Sequence, residues 1–150
     1  MREIRFRGKD ILNGEWIKGY LFYDYNDADE YRPFITYKSE AFLGGVNKQQ
    51  IDEGTIGQFT GLYDKNRKEI YEGDILQQVH YVFSNDEYDH KGFKKFIIQV
   101  LWGQKEAAFI FKVIKEIDIE MPKDYKEPYR EVIGNIYENV DLLKGADNIE

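Results

Sequence analysis

The sequence predicts a mainly β fold: a small antiparallel barrel, SH3-like or related, over about residues 55 to 137, with an N-terminal β-hairpin packed on it. Three observations carry that prediction. Twelve Tyr, ten Phe and two Trp among 150 residues favour pleated, half-buried surfaces. Short segments alternate apolar with polar side chains at the period of a strand. Polar clusters rich in Gly, Asn and Asp separate those segments at turn-like intervals.

At the start, Ile4 and Phe6 alternate with Glu3, Arg5 and Arg7, which reads as a strand with one wet face. Asn13-Gly14 forms a tight turn that accepts positive φ, and Trp16, Ile17, Tyr20, Leu21 and Phe22 follow as a second strand. DYNDADEYRP, residues 24 to 33, is acidic and closed by Pro33, so an exposed loop is expected before a short strand over Phe34 to Tyr37. Between Ser39 and Gly54 the signals weaken around Gly44-Gly45, leaving room for a short helical turn.

GQFTGLYDKNRKEIYEGDIL, residues 57 to 76, has the pattern of a hairpin: strands near 56 to 63 and 69 to 76 around the charged turn Asp64 to Lys68. Gly57 and Gly61 leave a flat patch on one side of the first strand, and Gly73-Asp74 marks a bulge or bend in the second. Residues 84 to 92 form another exposed loop. FIIQVLW reads as a strand buried on both faces, Gly103-Gln104-Lys105 turns the chain, and AAFIFKVI returns. Pro122 and Pro128 among charges make 115 to 130 an excursion. REVIGNIYE is the last strand, and the tail holds one helical turn. No repeat or linker divides the chain, so a single domain over 1 to 150 is expected.

Composition excludes several chemistries. Cysteine is absent, which removes disulfides, thiolate catalysis and thiolate metal sites. The net charge is −7, distributed as 0, −3 and −4 over successive thirds, and such a chain lacks the general attraction for phosphates that nucleic-acid binding rests on. The basic face Arg2, Arg5, Arg7 and Lys9 reads as a solvated strand face. The start has basic residues without an apolar stretch of signal-peptide length, and no run approaches the roughly 18 apolar residues of a membrane span. A cytoplasmic protein with no membrane association is expected.

Candidate catalytic sets are weak. Ser39 and Ser84 with His80 and His90 could supply nucleophile and base, but neither serine lies in a G-x-S-x-G context. His80 and His90 with Asp86, Glu87 or Asp89 lack metal-ligand spacing, and Asp24, Asp27, Asp29 and Glu30 lack the glycine and terminal glutamate of a calcium loop. Glu72 and Asp74 on a strand would share a face about 7 Å apart, yet a charged edge beside a turn explains them. The glycines match no phosphate-binding pattern. The reading assigns no catalytic, cofactor or metal residue.

Taken together and in order, MREIRFRGKD, GQFTGLYDKNRKEIYEGDIL and EVIGNIYEN resemble the YopX family of small proteins encoded by temperate phages and prophages. The resemblance spans almost the whole chain and implies a mostly β fold, a phage or prophage setting in a bacterial cell, and no established catalytic activity. One departure stands out: where such sequences often have a glycine after Asn66, this chain has Arg67, which makes a left-handed backbone costlier there.

Two classes of function follow as expectations. The first is a non-enzymatic accessory protein that binds a host or phage protein, or itself as a homo-oligomer, through aromatic surface, with Trp16, Tyr63, Tyr71 and Tyr81 as candidates. A variant uses the acidity to mimic nucleic acid and block a host protein. The second class is direct nucleic-acid binding, with Tyr63, Tyr71 or Tyr81 stacking on bases.

Overall fold

Ten antiparallel strands carry the chain in the computed structural model, which describes residues 1, 3–39, 44–83 and 92–144. They fall in two compact units, Met1–Gly61 and Leu62–Glu150.

In the first unit, β1 (Phe6–Lys9) pairs with β2 (Trp16–Tyr25) from Phe6 opposite Gly19 to Lys9 opposite Trp16. The expected Asn13-Gly14 turn is present: Gly14 takes φ 71° and donates to the Asp10 carbonyl at 2.8 Å, while Asp10 Oδ1 accepts from the Leu12 amide. On the opposite side of β2, a Cβ on Gly19 would stand 2.0 Å from the Thr36 carbonyl oxygen, so only glycine fits.

Residues 24 to 33, expected as a loop, are half strand: 24–25 and 31–33 belong to the ladder and 26–30 make the turn. β2 runs to Tyr25 and β3 (Tyr31–Lys38) begins directly opposite it. Asn26 shortens the connection: its Oδ1 accepts from the amides of Ala28 and Glu30, and its own amide donates to the Glu30 carbonyl. A side chain that replaces backbone turn bonds in this way lets a polar stretch close a hairpin.

β4 (Val46–Gln50) pairs with β3, and a 3-10 turn over Glu53–Thr55 is capped by Asp52, whose side chain accepts from the Gly54 amide at 3.1 Å. β5 (Gly57–Tyr63) returns to β1. Phe34, Ile35, Ile51 and Phe59 are buried; each large apolar side chain so placed contributes about 1.5–3 kcal/mol relative to exposure.

The hairpin expected over 56 to 76 is present only in its first half. β5 lies next to β6 (Glu69–Tyr71) around the Asp64 turn, but the second strand stops there. Gly73 takes φ 89°, a conformation that favours glycine, and a Cβ there would meet Tyr137 Cε2 at 3.0 Å. Beyond it β7 (Asp74–Val82) enters a different sheet, ordered β10-β7-β8-β9, with β8 (Gly92–Gly103), β9 (Ala108–Ile119) and β10 (Tyr129–Asn135). Ile70, Leu76, Ile98 and Val100 form the core of the second unit, with Phe96, Phe111 and Val132 packed against them.

Mainly β and antiparallel therefore holds, but the closed barrel over 55 to 137 does not form among the described residues. The break at Gly73 sends β6 and β7 into different sheets, and β10 pairs with β7, which leaves β9 and β10 as the two edges of an open sheet. Three smaller differences follow from pairing. β9 continues to Ile119 against β8, so the excursion expected from 115 begins after it. On β8, Ile98 and Val100 are buried whereas Ile97 and Leu101 are half-buried and Trp102 is exposed. Gly57 is buried while Gly61 is exposed with φ 85°, so no flat patch joins them. The expected helical turn of the tail is a 3-10 turn over Val140–Leu143. The expected loop over 84 to 92 lies almost wholly outside the described residues.

Candidate interaction surface

Of the four aromatic residues singled out in the sequence, Trp16 belongs to the first unit and Tyr63, Tyr71 and Tyr81 to the second. Trp16, at the start of β2, is half-buried and carries cations on its ring: the Arg7 guanidinium carbon is 4.5 Å and Lys9 Nζ 5.3 Å from the centroid. Cation–π contact of this kind already occupies much of the ring. Tyr71 is fully buried, and its hydroxyl donates to Glu69 Oε2 at 2.8 Å. It is a core residue and not part of a surface: the Gly73 bend turns its segment inward, which strand alternation alone does not reveal.

Tyr63 is 50% exposed. It borders a cleft of about 400 Å³ lined also by Asp64, Lys65, Asp124 and Tyr129. Lys65 Nζ donates to the Tyr129 hydroxyl at 2.9 Å, lies 4.3 Å from that ring's centroid, and pairs with Asp124 at 3.4 Å and Glu131 at 3.5 Å. The Tyr129 hydrogen bond, more than the neighbouring carboxylates, holds the Lys65 ammonium above the usual lysine range. Burial pushes the Asp124 carboxyl up, but its own backbone amide, the Tyr129 hydroxyl and Lys65 outweigh that and leave it low. With its donors and acceptors paired among themselves, the cleft reads as a structural network.

Tyr81 is 40% exposed and meets Phe83 and Phe93 edge-on at centroid distances of 4.7 and 5.3 Å. Phe93 continues to Tyr125 at 4.8 Å, and Tyr125 stacks on Tyr129 at 5.9 Å. Tyr81 thus lies inside an aromatic row that runs from the exposed Phe83, 84% open to solvent, through half-buried Phe93 and Tyr125 to buried Tyr129.

A second exposed aromatic group, of three rings, lies at the β2–β3 hairpin tip. Tyr23 and Tyr25 point to the same side of β2, and Tyr31 opposes Tyr25 across the ladder. The Tyr31 ring is 5.7 Å from that of Tyr23 and 5.3 Å from that of Tyr25. Tyr23, Tyr25 and Tyr31 are 41%, 61% and 59% exposed. Tyr23 donates its hydroxyl to Glu53 Oε1 at 3.2 Å, and burial together with that carboxylate raises its pKa. Asp24 is held low by the Tyr25 amide and by Lys48, and Glu30 by Asn26 and Arg32. Reading residues 24 to 33 as a loop hid this group; the spacing Tyr23, Tyr25, then Tyr31 after Asn26 was the available signal.

Among the described residues, the remaining sequence candidates do not assemble a reactive site. His80 contacts Gln78 at 2.6 Å and Glu127 at 3.7 Å, while His90, Ser84, Asp86, Glu87 and Asp89 lie outside the described residues. Ser39 donates its amide to the Gly45 carbonyl. Glu72 and Asp74 do not share a strand face, because Gly73 bends the chain between them; Asp74 is buried and accepts from the Tyr71 amide at 2.8 Å. Among the described residues no three His, Asp or Glu side chains are grouped to hold a metal ion, and no helix is long and apolar enough to cross a membrane.

A comparison with curated proteins gives no match. Among solved structures the chain is similar to the crystal structure of protein EF1440 from Enterococcus faecalis, at 23% identity over 96% of this chain and 100% of that one, with a TM-score of 0.47. A family model described as YopX protein matches residues 5–144. The family match itself carries no sign of catalysis. The match takes in the opening strand, the Asp64 turn and the last strand alike, and on its extent the chain belongs to the YopX family.

Proposed function

We propose that this protein is a non-enzymatic accessory factor of a phage or prophage that acts by binding another protein. The observation that supports the reading is the tyrosine group at the β2–β3 tip, three adjacent rings left largely open to solvent. Tyrosine is enriched at interfaces because its ring buries a large area with few rotatable bonds while its hydroxyl keeps a polar contact. Clustered exposed rings therefore have a ready use in recognition and little use in stabilising a monomer. Direct nucleic-acid binding ranks below it, since a chain of net charge −7 repels phosphates before any base can stack.

The test is affinity capture with the full chain as bait in a lysate of cells that carry its gene, beside light scattering over a concentration series. A protein retained reproducibly, or a concentration-dependent rise in mass, is the expected result. A strict monomer that retains nothing above a mock bait contradicts the proposal.

A further inference from the structure

The hairpin tip also carries the chemistry of its partner. No Lys or Arg occurs between Lys18 and Arg32, whereas Asp24, Asp27, Asp29 and Glu30 all lie in that interval. Asp24 is paired with Lys48 at 3.4 Å and Glu30 with Arg32 at 3.2 Å. Asp27 and Asp29, exposed in the turn itself, have no cationic partner among the described residues.

The two faces of the same hairpin make the comparison sharper. On one, Phe22 and Phe34 stack at 5.7 Å and Lys48 completes the arrangement, its Nζ 4.5 Å from the Phe34 centroid while it pairs with Asp24. Aromatic rings, a carboxylate and a cation are all supplied there by the chain. On the other face Tyr23, Tyr25 and Tyr31 supply the rings and Glu53 a carboxylate, but among the described residues no cation lies over those rings. A cation placed over an exposed tyrosine and beside a carboxylate gains from both the ring quadrupole and the charge.

We propose that the β2–β3 tip docks a Lys/Arg-rich segment of another protein, whose cationic side chains lie over Tyr25 and Tyr31 and pair with Asp27 and Asp29. The inference rests on the protein-binding reading above and names its surface and partner class. Phosphate-bearing ligands are disfavoured by the same carboxylates. Binding to a basic region is also how an acidic protein would occupy a site that otherwise holds nucleic acid.

Fluorescence anisotropy with the full chain and a labelled twelve-residue Lys/Arg-rich peptide tests this, beside a matched peptide in which glutamates replace the basic residues. Variants Tyr25→Thr/Tyr31→Thr and Asp27→Asn/Asp29→Asn probe the tip. Threonine keeps strand propensity, and unchanged thermal melts establish that both variants fold. Glu120→Gln/Asp141→Asn removes the same charge elsewhere on the surface.

The expected result is saturable binding of the basic peptide only, weakened at least about tenfold by either tip variant, changed less than about twofold by the distant pair, and falling as salt rises from about 50 to about 300 mM. Absence of binding, or an equal effect of the tip and distant variants, overturns the proposal. Lysate capture reads any protein partner, whereas the peptide reads only the basic class. Capture without peptide binding therefore overturns this inference and leaves the protein-binding reading standing.

Discussion

Asp64 and Val132 are joined through one carboxylate oxygen: Asp64 Oδ2 accepts from the Val132 amide at 3.1 Å, tying the β5–β6 turn to β10. The other oxygen of the same buried side chain accepts from the amides of Asn66 at 2.7 Å and Lys68 at 2.9 Å. One residue thus closes its own turn and fixes the strand beside it. Asp64→Ala leaves three amides without that acceptor, and since each buried donor left unsatisfied costs about 1–3 kcal/mol with partial relief from water, a loss of about 2–4 kcal/mol is expected in urea unfolding. A change below about 0.5 kcal/mol would show that water replaces the carboxylate fully.

Inside that turn Arg67 takes φ 63°. A left-handed conformation costs a non-glycine residue about 1–2 kcal/mol, offset in part by glycine's greater freedom in the unfolded chain. Arg67→Gly is therefore expected to stabilise by about 0.5 kcal/mol. Gly73→Ala acts in the opposite sense, since it meets both φ 89° and the Tyr137 ring, and a loss of about 1–3 kcal/mol is expected. Thermal melts of the two variants shifting in the same direction would contradict the backbone assignment.

Burial separates the tyrosines energetically. Tyr71→Ala opens a cavity in the second unit and is expected to cost about 3–5 kcal/mol. Tyr63→Ser and Tyr81→Ser, on exposed side chains, should stay within about 1 kcal/mol. Chemical denaturation of the three variants checks the order; equal losses would mean that Tyr71 is not in the core.

Acid stability follows from carboxyls held low. Asp24, Glu30, Asp124 and Glu127 all titrate below the usual range, Asp24 through the Tyr25 amide and Glu127 through the Tyr125 hydroxyl. With depressed native values, the unfolded chain takes up protons first as pH falls. The stability these groups contribute is present above their unfolded pKa of about 4 and is lost as pH drops through their native values. The urea midpoint should change little between pH 7 and 5 and fall below about pH 4, less steeply in Asp124→Asn. A midpoint that rises on acidification would reverse the sign.

Alternation made the strands legible. Ile98 and Val100 on β8 behave as period-two residues should, and Asn13-Gly14 and Asp64 to Lys68 turn where turn chemistry placed them. On β1 the alternation misleads: Arg7, expected on a solvated basic face, is buried with its guanidinium over the Trp16 ring, while Phe6 is only half-buried. What the sequence concealed was pairing at a distance. Gly73 signalled a bend, but a bend within one sheet and a transfer between sheets have the same local signature, so the open sheet and the burial of Tyr71 stayed hidden. The tyrosine tip was missed for a related reason: acidic composition suggested a loop, while Asn26 supplies the turn bonds and the Tyr25–Tyr31 pair extends the ladder to the tip.

Paired affinity capture tests the central claim most directly. Wild-type chain and Tyr25→Thr/Tyr31→Thr serve as baits in the same lysate of cells carrying the gene, with retained proteins quantified by mass spectrometry. A protein enriched on the wild-type bait and reduced at least about tenfold on the variant, as loss of two interface anchors implies, is the predicted result. Equal enrichment on both baits, or none on the wild type, would contradict a tyrosine tip that binds protein.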